Sequence, residues 1–63
     1  MQEKQIYLNT PAGDLILVEI VQKNNTTSIL IGDDYCLDLD LQSALDLADE
    51  ILMITSDERE NLT

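Results

Sequence analysis

The chain of 63 residues has no histidine, tryptophan or phenylalanine, one cysteine, one proline, and three basic residues against thirteen acidic ones. Each scarcity removes a class of function. Without histidine no side chain titrates near neutrality at its ordinary pKa, so general acid–base catalysis would rest on strongly shifted groups. The two lysines, Lys4 and Lys23, fall beside the first strand pattern and in a turn, where nothing prepares them for that work. The single cysteine, Cys36, excludes an intramolecular disulfide, and one thiol without histidine leaves a structural zinc site short of ligands. Three basic residues cannot supply the counterion release that drives affinity for a phosphate backbone, so no direct nucleic-acid binding is expected. No apolar run approaches the 18 or so residues of a membrane span, and Met1-Gln2-Glu3-Lys4 opens without an apolar signal region. These absences predict a cytoplasmic protein with no membrane partner. The N-x-Thr sequons at Asn24, Asn25 and Asn61 are then chance matches.

What is abundant is negative charge, and it is unevenly placed. Residues 33 to 63 carry ten acidic side chains and one basic, while residues 1 to 32 carry three and two, so nine of the ten net negative charges lie in the C-terminal half. A one-signed surface repels nucleic acid and membranes and speeds encounter with basic proteins.

Turn signals divide the first half into strands. Gln5 to Asn9 alternates around Ile6 and Leu8 before Thr10-Pro11-Ala12-Gly13-Asp14, which supplies proline and glycine for a turn. Leu15 to Gln22 follows, then the turn Asn24-Asn25-Thr26, a strand from Thr27 to Ile31, and the turn Gly32-Asp33-Asp34. Tyr35 to Asp40 alternates most cleanly, with Tyr35, Leu37 and Leu39 on one face and Cys36, Asp38 and Asp40 on the other. From Leu41 the period changes. Leu41, Ala44, Leu45, Ala48, Ile51 and Leu52 fall on one helical face, Leu47 and Ile54 widen it to roughly half the circumference, and Asp40 is a good N-cap. Gln42, Asp46, Asp49 and Glu50 occupy the opposite arc, with Met53 among them.

The expected fold is therefore α+β: one domain, with a three- or four-stranded antiparallel β-meander over residues 1–40 and one amphipathic C-terminal α-helix over 41–55 packed across it. Residues 56–63 read as a flexible acidic tail. The second strand carries Ile16, Val18 and Ile20 on one face and Leu15, Leu17 and Val21 on the other, so it needs two covers where one helix supplies one. A homodimer is the expected remedy, since a domain this small has little core of its own and no staple. Ile16, Val18, Ile20 and Met53 are its candidate apolar contacts.

Asp33, Asp34, Asp38 and Asp40 are the only carboxylates grouped closely enough to suggest a hard cation, but they lack the central glycine and the terminal glutamate of a calcium-binding EF-hand loop. They read instead as turn residues, a solvated strand face and a helix cap, so no metal or cofactor is expected. Cys36 has only aspartates near it in sequence, which would raise its pKa, and reads as a buried or half-buried structural thiol. No catalytic residue emerges, and the chain is expected not to be an enzyme. Carboxylates spaced by two residues on a strand and one turn on a helix can present a track like that of phosphates. Asp38, Asp40, Asp46, Asp49 and Glu50 form the candidate track.

The segment Leu37-Asp38-Leu39-Asp40-Leu41-Gln42-Ser43-Ala44-Leu45-Asp46-Leu47-Ala48-Asp49-Glu50-Ile51 covers about a quarter of the chain. A strand running into a helix of the form Leu-x-x-Ala-x-x-Leu-Ala-x-x-Ile resembles the C-terminal end of small acidic proteins from phages and mobile elements. The resemblance implies an inhibitor of host or defence proteins, of the anti-CRISPR or DNA-mimic type, and carries no functional residue across. The expected function is non-enzymatic: an inhibitor whose acidic face occupies a basic site on a nucleic-acid-handling protein. The alternative is a small assembly subunit whose acidic face serves solubility alone.

Overall fold

The computed structural model describes the backbone of residues 1–60 and side chains through Glu58. Its order is β1 (Gln2–Asn9), β2 (Leu15–Lys23), β3 (Thr26–Ile31), β4 (Tyr35–Asp40) and α1 (Leu41–Glu60). The four strands form one antiparallel sheet in the order β1-β2-β3-β4, so every neighbour in sequence is a neighbour in space. This is the expected α+β meander with a C-terminal helix. Among the described residues no helix is long and apolar enough to cross a membrane.

Each turn follows from the residues that make it. Asn24 has φ 56°, and β2 and β3 close around Asn24-Asn25 as a two-residue hairpin between paired Lys23 and Thr26. Asparagine accepts positive φ better than most residues, and Gln22 Nε2 braces the turn by donating to the Asn24 carbonyl at 2.7 Å. The loop from Thr10 to Asp14 is held by Thr10, whose carbonyl accepts from Gly13 N–H at 2.9 Å and whose Oγ1 accepts from Asp14 N–H at 3.1 Å.

Gly13 has φ 93°, a value that side chains disfavour even where, as here, a Cβ would meet open space. Gly13→Ala should therefore destabilise the protein by about 1 kcal/mol, the left-handed penalty less the reduced freedom of the unfolded chain. Thermal melts check this: an unchanged midpoint would mean the loop relaxes to a negative φ at no cost.

Directly opposed residues share a face, so the register sorts the sheet into two. Val18 lies between Ile6 on β1 and Ile31 on β3, and Ile29 lies opposite Leu37, placing Ile6, Val18, Ile20, Ile29 and Ile31 together on one apolar face. The other face is mixed: it carries Tyr7, Leu15, Leu17, Val21 and Leu30 beside Gln5, Glu19, Ser28 and Asp38, where Gln5 Nε2 donates to Glu19 Oε2 at 3.2 Å and Ser28 Oγ donates to Asp38 Oδ1 at 2.6 Å. Val18, at 6%, is the single buried hydrophobic residue among those described, and Thr27, bonded to Gln22, is the buried polar one.

The helix departs from expectation in two ways. It runs to Glu60 and absorbs residues 56–60, which had read as tail; residues 61–63 lie outside the described residues. Thr55 Oγ1 donates to the Ile51 carbonyl at 2.6 Å and Ser56 Oγ to the Met53 carbonyl at 3.0 Å, so these hydroxyls bond back within the helix instead of ending it. Second, it is not packed across the sheet. It touches β3 and β4 only, and of residues 41–58 Ala44 alone is half-buried while the rest are exposed.

The connection, as the strand and helix patterns imply, has no length. Asp40 ends β4 and Leu41 begins α1, whereas a helix that folds back over its own sheet commonly needs a connection of about 2–6 residues. Leu41 N–H donates to the Asn25 carbonyl at 2.8 Å, pinning the first turn beside the β2–β3 hairpin. The helix leaves from there, and the radius of gyration is 13.4 Å where a compact domain of this length has about 10.6 Å.

Candidate functional site

The helix presents two surfaces of different chemistry. At 100° per residue Asp46, Asp49, Glu50 and Asp57 fall within one 100° arc, and Met53 falls at its middle. Asp49 and Glu50 lie one turn before Met53, and Asp57 one turn after. Met53 is 68% exposed, an unbranched thioether ringed by carboxylates. Gln42 Nε2 donates to Asp46 Oδ1 at 3.0 Å and holds that carboxylate on the arc.

This geometry revises the sequence-derived site in several places. Met53 belongs to the acidic arc and is not brought together with Ile16, Val18 and Ile20, since the helix makes no contact with β2. Val18 is buried beneath its sheet neighbours, while Ile16 and Ile20 are half-buried on the same face. Asp57 joins the arc because the helix continues past residue 55, where the acidic composition reads as tail.

Asp38 and Asp40 are exposed but engaged. Asp38 accepts from Ser28 Oγ and lies 3.6 Å from Cys36 Sγ. Asp40 Oδ1 accepts from Ser43 N–H at 2.9 Å, the N-cap expected from its position. The Ser43 hydroxyl and then the Ser43 N–H hold its carboxyl below the ordinary 3.8, against a small opposing loss of hydration. A cap whose pKa is lower in the folded state contributes stability above 3.8 and loses it as pH falls through the folded value.

Asp40→Ala should thus melt at a lower temperature than the parent at neutral pH, and the gap should narrow as pH is taken down through the carboxylate range. Asp40→Asn, which keeps a capping oxygen without a titrating one, should remain near the parent at neutral pH. Melts from pH 7 to 2 test both; a gap for Asp40→Ala as wide at pH 2 as at pH 7 would remove the charge of the cap from the account.

Cys36 is exposed, contrary to the buried thiol expected, because β4 is an edge strand and its polar face lies open. Incomplete hydration beside the sheet, then the charge of Asp38 and its hydrogen bond, push the thiol pKa up. An exposed thiol held in its neutral form is a poor nucleophile. Among the described residues no group of three or more cysteines, aspartates and glutamates is placed to hold a metal ion, so Asp33, Asp34, Asp38 and Asp40 do not converge. An open notch of about 330 Å³ lies where the helix leaves the sheet, lined by Asn25, Asp40, Leu41, Gln42 and Leu45. No protein-family model, curated protein or solved structure matches the chain.

Proposed function

We propose that this protein is a non-enzymatic inhibitor that binds, through the acidic arc of α1, a basic site on a nucleic-acid-handling protein, host-defence proteins among them. The observation that carries the reading is Met53 exposed among Asp46, Asp49, Glu50 and Asp57. Charges at the rim of an interface steer encounter and set specificity, while a desolvated apolar anchor at its centre slows release. The arc combines both on one rigid element. The reading needs no cofactor and no metal, and nothing in it requires chemistry from Cys36.

A second reading has its own observation. The undocked helix and its bare apolar residues fit a small assembly subunit completed by another chain, with the acids serving solubility. Affinity capture from lysate with the parent chain and with Met53→Ala separates the two. Recovery of nucleic-acid-binding proteins that elute with moderate salt, and that Met53→Ala loses, supports inhibition. Recovery of one stoichiometric partner, indifferent to salt and to Met53, supports the subunit.

A further inference from the structure

Two bare apolar surfaces of the chain are free of acidic side chains, whereas the second sheet face mixes Tyr7, Leu15 and Leu17 with Glu3, Glu19, Asp38 and Asp40. One of the two is the sheet face that carries Ile6 at 41% exposure, Leu8 at 47% and Ile31 at 38% around the buried Val18. The other is the helical arc that carries Leu45, Ile51 and Leu52 at 51%, 51% and 56%. A helix over a sheet is the ordinary way to bury both. Here the absent β4–α1 connection and the Leu41–Asn25 hydrogen bond keep the helix off its own sheet.

We propose that the missing cover is a second copy of this chain, with each α1 lying across the apolar sheet face of its partner. Both halves of the joint are present in one sequence in equal number, so a two-fold pairing satisfies both at once; an unrelated partner would have to bring a helix and a sheet of its own.

Charge placement supports the same partner. The chain carries thirteen acidic residues, yet the register puts none on the apolar sheet face, and the helical arc from Leu41 to Thr55 has none. Glu3, Glu19, Asp38 and Asp40 take the opposite sheet face, and Asp14, Asp33 and Asp34 the turns. Two molecules of net charge −10 can therefore meet on these surfaces without apposing carboxylates.

Area and helix stability agree. The chain exposes 5542 Å², where a folded monomer of 7.1 kDa exposes about 4,100 Å². The surplus of about 1,400 Å² per copy gives nearly 3,000 Å² for a pair, within the range of obligate dimers. The helix also carries Asp57, Glu58 and Glu60 in its last turn, where the helix dipole disfavours negative charge. A helix in that state depends on packing along its apolar arc. In the paired arrangement the Met53 arc faces outward, so the proposal is independent of the function assigned to that arc.

Isotope-filtered NOE spectroscopy on a mixture of labelled and unlabelled full-length chains tests the arrangement. Intermolecular NOEs are expected between methyls of Leu45, Ile51 and Leu52 and those of Ile6, Ile16 and Ile31. Intermolecular NOEs confined to helix against helix, or to one β1 edge against another, would overturn it. So would helix-to-sheet NOEs found only within one chain. Leu45→Glu with Leu52→Glu should reduce the mass in solution from a pair to a single chain or unfold it. An unchanged pair would also refute the proposal.

Discussion

Val18→Glu should leave no folded protein at room temperature. Val18 is the most buried apolar side chain described, 6% exposed, with Ile6 and Ile31 opposite it on the flanking strands. A carboxylate there loses its hydration without a basic partner, which costs several kcal/mol, and a single core below about 70–80 residues rarely supplies more than 3–5 kcal/mol. The penalty and the reserve are of equal size, so the population should shift almost wholly to the unfolded state. Val18→Ala, which removes two methyls and adds no charge, should cost about 2 kcal/mol and stay folded. Leu15→Glu provides the contrast. Leu15 lies on the same strand but faces the other way and is 62% exposed, so its replacement should cost less than about 1 kcal/mol. Far-ultraviolet circular dichroism and amide dispersion distinguish these outcomes. A folded Val18→Glu, or a Leu15→Glu that unfolds as fully, would show that the apolar face has been assigned to the wrong side of the sheet.

The second large effect concerns association. Replacing Asp46, Asp49 and Glu50 by Asn, Asn and Gln should leave the fold intact, because like charges one turn apart contribute nothing favourable and all three are exposed. Against a basic partner the on-rate at low salt should fall by 10-fold or more, and its salt dependence should flatten, because exposed charges act mainly through long-range steering. Dissociation should change less, since Met53 remains. Met53→Ala should do the reverse, speeding release while leaving the on-rate near the parent's. Stopped-flow association at two ionic strengths measures both; equal on-rates for parent and triple variant at low salt would remove the steering role of the arc.

The strands were legible because each turn carries its own chemistry. Pro11 and Gly13, Asn24, and Gly32 mark the breaks, and the spacing between them leaves successive antiparallel pairing as the simplest topology. Alternation in Tyr35–Asp40 then assigns its faces correctly. β1 begins earlier than the apolar alternation suggests, at Gln2, because the polar Gln2, Glu3 and Lys4 continue the ladder opposite Gln22, Val21 and Ile20. The far end of the helix was hidden for a related reason. Asp57, Glu58 and Glu60 have the composition of a tail, yet glutamate is a good helix former and nothing before Glu60 breaks the helix.

The docking of the helix was not legible at all, and the reason is geometric. Amphipathicity states that the Leu41–Leu52 arc is to be covered and leaves open by what. The strand pattern to Asp40 and the helical period from Leu41 already leave no connecting residue, but the direction in which the helix then leaves β4 is set by the Leu41–Asn25 hydrogen bond, which no sequence pattern displays. Met53 is legible on both counts, among the acids by its angular position and as an apolar contact by its exposure.

Sedimentation equilibrium from low to high micromolar concentration tests most directly the claim that one chain is only half of a folded unit. The account predicts a single species of about 14 kDa, twice the 7.1 kDa of the chain, whose dissociation at dilution is accompanied by loss of helix. A species of 7.1 kDa at high micromolar concentration, with its helix content undiminished, would contradict it.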